Sequence, residues 1–151
     1  TPANSSSISD GASALLLASE MAAASNGLTP KARIVAHARH SLAPESFTLA
    51  PIGAVEKVLN KTGWNAKDVD LWEINEAFAM VTMLTTRALD LDPACVNIHG
   101  GACAQGHPIG STGSRVIVTL MHALQHYGKK RGVAALCIGG GEATAVAIEL
   151  I

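Results

Sequence analysis

Three short segments gather the residue types that do chemistry: Asn75-Glu76-Ala77-Phe78-Ala79, the run Gly100 to Gly110 (GGACAQGHPIG), and Cys137-Ile138-Gly139-Gly140-Gly141-Glu142. His107 stands between Gly106 and Pro108, in a loop with further glycines at 110 and 113. Glycine lets backbone approach a ligand, and proline fixes the chain direction, so the ring is held in one place. An imidazole so placed can act as general base or donate to a developing oxyanion. It can equally be a turn histidine satisfied by backbone groups. Cys137 follows an apolar run and precedes three glycines, whose bare N–H groups could lower the thiol pKa or bind an oxyanion. The competing reading is a buried, inert cysteine. Asn75 falls where a strand hands over to a helix. There it either caps that helix, with Glu76 favoured by the dipole, or orients a water or substrate. On spacing alone the structural readings stand ahead at all three positions. All three segments nevertheless lie where a strand meets the next element, which is where ligands collect in α/β folds.

Other patterns are set aside. His122 and His126 stand four apart but have no adjacent Glu and no third ligand, and with Arg115 and Thr119 they read as the polar stripe of a helix. The glycines at 106, 110 and 113 do not make GxGxxG, no acidic residue follows at the ribose distance, and the Gly-Lys-Ser/Thr ending of a phosphate loop is missing. Cys95, Cys103 and Cys137 have spacings of neither a disulfide framework nor a zinc site, and Cys95 and Cys103 are read as structural.

The elements that must position these residues can be read from periodicity. Asp10 to Ser25 is expected to be a helix capped by Asp10, stopped at Gly27, and buried on several sides because Glu20 is its only later charge. Ala32 to Ala38 reads as a strand. Ile52 to Lys61 reads as an amphipathic helix opened by Pro51 and closed by Gly63. Leu71 to Ile74 is a short strand running straight into a helix that ends before Pro93. Val96–Ile98 is a brief strand, Ser114 to Tyr127 a helix, and Val133 to Ile138 and Thr144 to Ile151 are strands joined by a glycine turn. So short a turn forces antiparallel pairing, and the alternation of strands and helices implies an α/β layer structure, so the sheet is mixed.

Composition bounds the class. A chain of 151 residues fits one domain, and charged residues make up 15% of it against about 25% in an ordinary soluble domain. So few charges imply a surface that meets protein, either another half or another subunit. With a net charge of −1 and no basic cluster beyond Lys129–Arg131, a nucleic-acid partner is not expected. No apolar stretch approaches the ~20 residues of a membrane span, and with no basic segment before an apolar run at its start a secretory signal is not expected. Reduced cysteines point to the cytoplasm. The start at Thr1, without Met, implies a processed chain or a piece of a longer protein.

Taken as an ordered set, NEAFA, GGACAQGHPIGSTGSR and CIGGGEATAVAIE resemble the thiolase family, the acetyl-CoA acetyltransferases and 3-ketoacyl-CoA thiolases. The opening TPANSSSISDGASALLL resembles the family's entry into its C-terminal domain, and the similarity covers essentially the whole chain. The resemblance implies a single domain over residues 1–151: an α/β thiolase-like half with a mixed five-stranded sheet and helices on both faces, one half of an αβαβα sandwich. It also implies acyltransferase chemistry on coenzyme A thioesters, with no resident cofactor or metal. A cysteine of an N-terminal half becomes acylated, with His107 activating it. Cys137 exchanges a proton with the acetyl-CoA methyl group. The enolate oxygen is held by His107 and a water on Asn75. The N–H of Gly139 contributes to a second oxyanion hole, where each donor is worth ~3 kcal/mol in the transition state. Ala77 and Phe78 line the pantetheine channel. Implied partners are the N-terminal half and further copies of the protein, as a dimer or tetramer. The nucleophile segment and the loop region holding most of the CoA have no counterpart here, so the chain alone is expected to be inactive. Alternatives are a longer-chain 3-ketoacyl-CoA thiolase and a non-catalytic assembly or lipid-binding module on the same fold.

Overall fold

The structure is a computed structural model describing residues 1–151. Four strands form one mixed sheet: β1 (Ala32–Ser41), β2 (Leu71–Ile74), β3 (Arg131–Ile138) and β4 (Glu142–Leu150), in the order β1-β4-β3-β2. β2 and β3 run parallel, while β3–β4 and β4–β1 are antiparallel. The Gly139–Gly141 turn joins β3 to β4 as expected. Gly140 and Gly141 adopt φ of 93° and 96°, a region closed to most side chains. A Cβ on Gly141 would also collide with the Leu42 carbonyl.

Helices cover both faces. On one, α2 (Ala50–Thr62) carries Pro51 in its first turn and ends on Gly63 in the left-handed conformation, as the sequence implied. Its Ala54, Val55 and Val58 meet Trp72, Ile74, Val133, Ala135, Ala143 and Ala145 in the larger core. On the other, α5 (Thr112–His126) sets Val116, Leu120, Ala123 and Leu124 against Leu71, Ala134 and Ile148. Alternation along β3 explains the division: Val133 and Ala135 point to α2, and Ala134 and Leu136 to α5. Each fully buried Val or Leu contributes about 1.5–3 kcal/mol by leaving water. α3 (Ala79–Ala88) packs beside α2.

Three expectations are corrected. The expected fifth strand at Val96–Ile98 shrinks to a single bridge between Trp72 and Val96, leaving four strands. Asn97 turns to φ 49°, and its side-chain amide accepts from Ile74 N and donates to Ile74 O, both at 2.8 Å, making the bonds a neighbouring backbone would have made. The helix expected over 10–25 exists only as α1 (Glu20–Ser25), capped by Ser19 instead of Asp10. Ser13 is bound to the start of α5, and Leu16 (80% exposed) and Met21 (81%) have no surface of this chain to cover, so packing does not offset the cost of nucleating a longer helix. Finally, β2 does not run straight into α3, because Asn75–Phe78 form a short connection with a bend at Ala77 and Phe78 is the N-cap, in extended conformation. An unforeseen turn of helix, α4 (Ala102–Gln105), stands inside the glycine loop.

Candidate active site

The candidate residues collect at the carboxyl rim of the two parallel strands. Asn75 continues β2 and donates its backbone N–H to Ala135 O at 2.9 Å, while Cys137 lies two residues further along β3 and Gly139 just past its end. α5 runs antiparallel to β3: Leu120 lies over Gly132 at the strand's start, and Gly113 near Leu136 at its finish. The N-terminus of α5, and the His107 loop leading into it, are therefore at the same rim.

One strap ties the loops together. Ser6 donates its backbone N–H and its hydroxyl to Ala77 O, at 3.2 and 3.0 Å, and Ser5 bridges Phe78. The next residue, Ser7, accepts from His107 N at 3.0 Å, and Ile8 bridges His107. Consecutive strap residues thus hold the Asn75–Phe78 loop and the His107 loop side by side. Glu76 adds a second tie, its carboxylate accepting from Cys103 N at 3.1 Å and from the Asn97 amide at 3.2 Å. Gly101 leaves room for that carboxylate, which a Cβ there would overlap. Glu76 also contributes to pushing the exposed Cys103 thiol upward, after burial.

His107 is oriented through Nδ1, 2.7 Å from the Thr112 hydroxyl. That hydroxyl gives its one proton to Pro108 O at 3.1 Å, so it accepts from Nδ1–H and leaves the Nε2 lone pair free. Burial, and then the Arg115 guanidinium, hold the imidazole pKa below its ordinary value. A ring fixed in one tautomer and kept neutral has the properties of a general base.

Cys137 behaves otherwise than its glycine neighbours implied. Burial outweighs the backbone hydrogen bond and pushes the thiol pKa up, so the resting group holds its proton. Cys137 is the penultimate residue of β3 and belongs to neither core cluster, and His107 enters the same rim from the loop that leads into α5. No hydrogen bond joins imidazole and thiol. Asn75 is not a helix cap, since α3 begins four residues on. Its side chain is 1% exposed, and neither Oδ1 nor Nδ2 has a partner. Phe78 is partly exposed, its ring edge-on to Phe47 with centroids 6.1 Å apart. Ala77 is half-buried beneath the strap, and Gly139 is exposed with open space around it.

Sequence reasoning missed the supports: Thr112, Asn97, the Ser5–Ile8 strap, and an ion pair between Glu73 and Arg115 at 3.6 Å. Only Glu73 left a signal, as an acid in the middle of the apolar run Leu71–Ile74.

Residues 28–150 match the family model described as Thiolase, C-terminal domain. The chain is 50% identical to a probable acetyl-CoA acetyltransferase of Dictyostelium discoideum over 99% of this chain and 36% of that protein. It is 47% identical to a cytosolic acetyl-CoA acetyltransferase of Mus musculus, over 99% of this chain and 38% of that protein. Among solved structures, the Bacillus anthracis acetyl-CoA acetyltransferase superposes with a TM-score of 0.97 at 42% identity, over 100% of this chain and 38% of that one. The Acat5 thiolase of Ascaris suum in complex with coenzyme A gives 0.90 at 40%, over 100% and 39%. The human mitochondrial 3-ketoacyl-CoA thiolase gives 0.92 at 39%, over 100% and 38%. The chain spans little more than a third of the length of each of these proteins.

Proposed function

Because this chain belongs to the thiolase family, we propose that it is the C-terminal domain of an acetyl-CoA C-acetyltransferase and supplies the base and the second thiol for condensing two acetyl-CoA units, or cleaving acetoacetyl-CoA. A cysteine outside these residues accepts the acyl group, and His107, neutral with Nε2 free, takes its proton. Cys137 exchanges the proton at the methyl carbon of acetyl-CoA. A thiol that burial keeps protonated is in the state needed to protonate an enolate in the cleavage direction, and in condensation the thiolate removes that same proton. The N–H of Gly139 assists the acyl-enzyme's oxyanion, and Ala77 and Phe78 flank the pantetheine arm. The CoA thioesters are substrates, and none of these roles asks for a resident metal or cofactor.

The observation that carries this reading is the Asn75 amide. A buried amide without a partner costs about 1–3 kcal/mol, so a fold serving only assembly or lipid carriage has no reason to keep one at this rim. A water held there for the substrate enolate supplies the missing partner. The relatives at 47–50% identity favour an acetyl substrate, while the 39% likeness to a 3-ketoacyl-CoA thiolase keeps longer chains as the second reading. The exposed Ile8, Leu16, Leu17 and Met21 fit coverage by an N-terminal half and by further subunits in a dimer or tetramer. No helix is long and apolar enough to cross a membrane. We place the protein in the cytosol, like the mouse relative, with the mitochondrion as the alternative.

The test is thiolysis of acetoacetyl-CoA by the full-length protein and by this chain alone. Turnover is expected from the first and none from the second. Turnover by the chain alone would refute an external nucleophile. A full-length protein active only on longer 3-ketoacyl-CoA esters would overturn the acetyl reading in favour of its rival.

A further inference from the structure

A second polar group lies under α5 with no place in the chemistry above. Glu73 is central in β2, paired in register with Ala134, and only 2% exposed. Its carboxylate faces Arg115, in the first turn of α5, at 3.6 Å. Arg115 also reaches Thr119 Oγ1 at 3.3 Å, and its backbone N–H bonds Ser111 O. Two residues after Glu73 stands Asn75, and three before Arg115 stands Thr112, which holds the His107 ring. The pair therefore spans from the strand bearing one candidate catalytic residue to the helical turn that orients another. A buried carboxylate is costly in an apolar layer, and a buried ion pair is weak evidence for stability. Stability alone does not explain its presence.

We propose that Glu73 and Arg115 are a positioning pair: they clamp the first turn of α5 to the end of β2, keeping His107 in register with Asn75, and they set a guanidinium charge beside the imidazole that is balanced by the Glu73 carboxylate. This rests on the reading of His107 as the base. The charged and titratable groups on the surrounding elements are Arg115 on α5, Glu73 on β2, Glu76 after β2, Asp10 beside Pro108 at the strap's end, and the thiols of Cys103 and Cys137. Of these, Arg115 is the one whose charge acts on His107. Glu73 in turn is pushed up to about 7 by burial, against the pull of Arg115 and with a contribution from Glu76. As pH falls through that range the carboxylate gains a proton, Arg115 loses its counter-charge, and the imidazole resists protonation further. The pair thus holds the base neutral where an isolated histidine would begin to charge.

The experiment is carried out in the full-length protein, with the His107 ring titration followed by NMR and kcat, KM and the pH profile of kcat/KM measured alongside. Arg115→Gln removes the cation, so His107 should titrate at higher pH and the acid limb should move up with it. Glu73→Gln leaves the cation unbalanced, so both should move down. Each variant should lower kcat about tenfold with KM within about twofold, and Arg115→Lys should restore the titration but not all of kcat, since it keeps the charge without the planar fork. A purely structural role predicts that both glutamine variants shift His107 the same way, toward an exposed histidine. That result, or no shift in either variant, overturns the proposal. If Arg115→Gln does not fold, Arg115→Lys and Glu73→Gln decide: an unmoved titration in Glu73→Gln is equally fatal. The thiolase reading fails separately, if the wild-type protein shows the His107 shift but no activity on any 3-ketoacyl-CoA.

Discussion

Replacing Thr112 with valine isolates the bond that selects the His107 tautomer. Thr112 is buried and valine has nearly its shape, so the change acts chiefly through the lost hydroxyl and its hydrogen bonds. The Pro108 carbonyl loses the hydroxyl but still accepts from Ser111 N at 2.8 Å and Thr112 N at 2.9 Å, so no acceptor is orphaned. What disappears is the acceptor for Nδ1–H. A net hydrogen bond of this kind is worth about 1 kcal/mol, and leaving the donor half-buried and unpaired adds as much again. If the bond matters fully in the transition state, 1–2 kcal/mol becomes roughly a five- to thirtyfold loss in kcat, while the melting temperature shifts by about 2–4 °C. Thr112→Ser retains the hydroxyl and should stay within about threefold of wild type. The assay is steady-state thiolysis of acetoacetyl-CoA by the full-length protein, with the ¹⁵N shifts of the His107 ring reporting the tautomer. A valine variant with kcat within twofold of wild type, or a serine variant as impaired as valine, would refute the orienting role.

Other expectations follow from the same geometry. Because burial and Arg115 depress the His107 pKa, the acid limb of kcat/KM should lie below the ~6.5 of an ordinary histidine; activity is lost as pH falls through it, and a limb at or above that value contradicts a neutral base. Glu73 is raised from 4.5 to about 7, so its stabilising contribution is complete below pH 4.5 and lost as pH rises through 7, by about 3 kcal/mol at 1.36 kcal/mol per unit. Melting temperatures of Glu73→Gln and wild type compared from pH 5 to 8 should therefore move steadily in favour of the variant, and a constant difference would count against a buried, titrating carboxylate. Gly132→Val should destabilise by about 1–3 kcal/mol in denaturant, since even a Cβ at 132 would stand 2.7 Å from a Leu120 methyl; an unchanged midpoint would mean that α5 does not press on the sheet there.

The sequence disclosed more of the chemistry than of its supports. Pro51 and Gly63 bracketed α2, and the three glycines after Cys137 announced the β3–β4 hairpin, because these signals are local. His107 and Cys137 stood out by residue type, and the catalytic reading of them, against a turn histidine and a core thiol, came only from the family that the ordered motifs resemble. What failed was non-local. Asn97 is one polar residue in an apparent strand, and its replacement of strand bonds to Ile74 depends on a contact 23 positions away. The shortened α1 has the same cause in reverse: an apolar pattern predicts helix, but helices this short are stabilised by what they pack against, and Leu16 and Met21 stay largely exposed in this chain. At Cys137 the burial that the sequence offered as the competing reading outweighs the lowering its glycine neighbours could have given, a balance that depends on packing and not on local residues.

In the proposed mechanism Cys137 moves a proton of the acetyl methyl group while His107 holds the enolate oxygen that results. Exchange of deuterium from heavy water into the methyl group of acetyl-CoA, measured by mass spectrometry with the full-length protein, reads that step without waiting for turnover. The wild-type protein should catalyse it, and Cys137→Ser should slow it by about a hundredfold or more, the usual scale of lost acid–base catalysis. Exchange at the wild-type rate in Cys137→Ser would place the proton transfer on another residue and contradict the account.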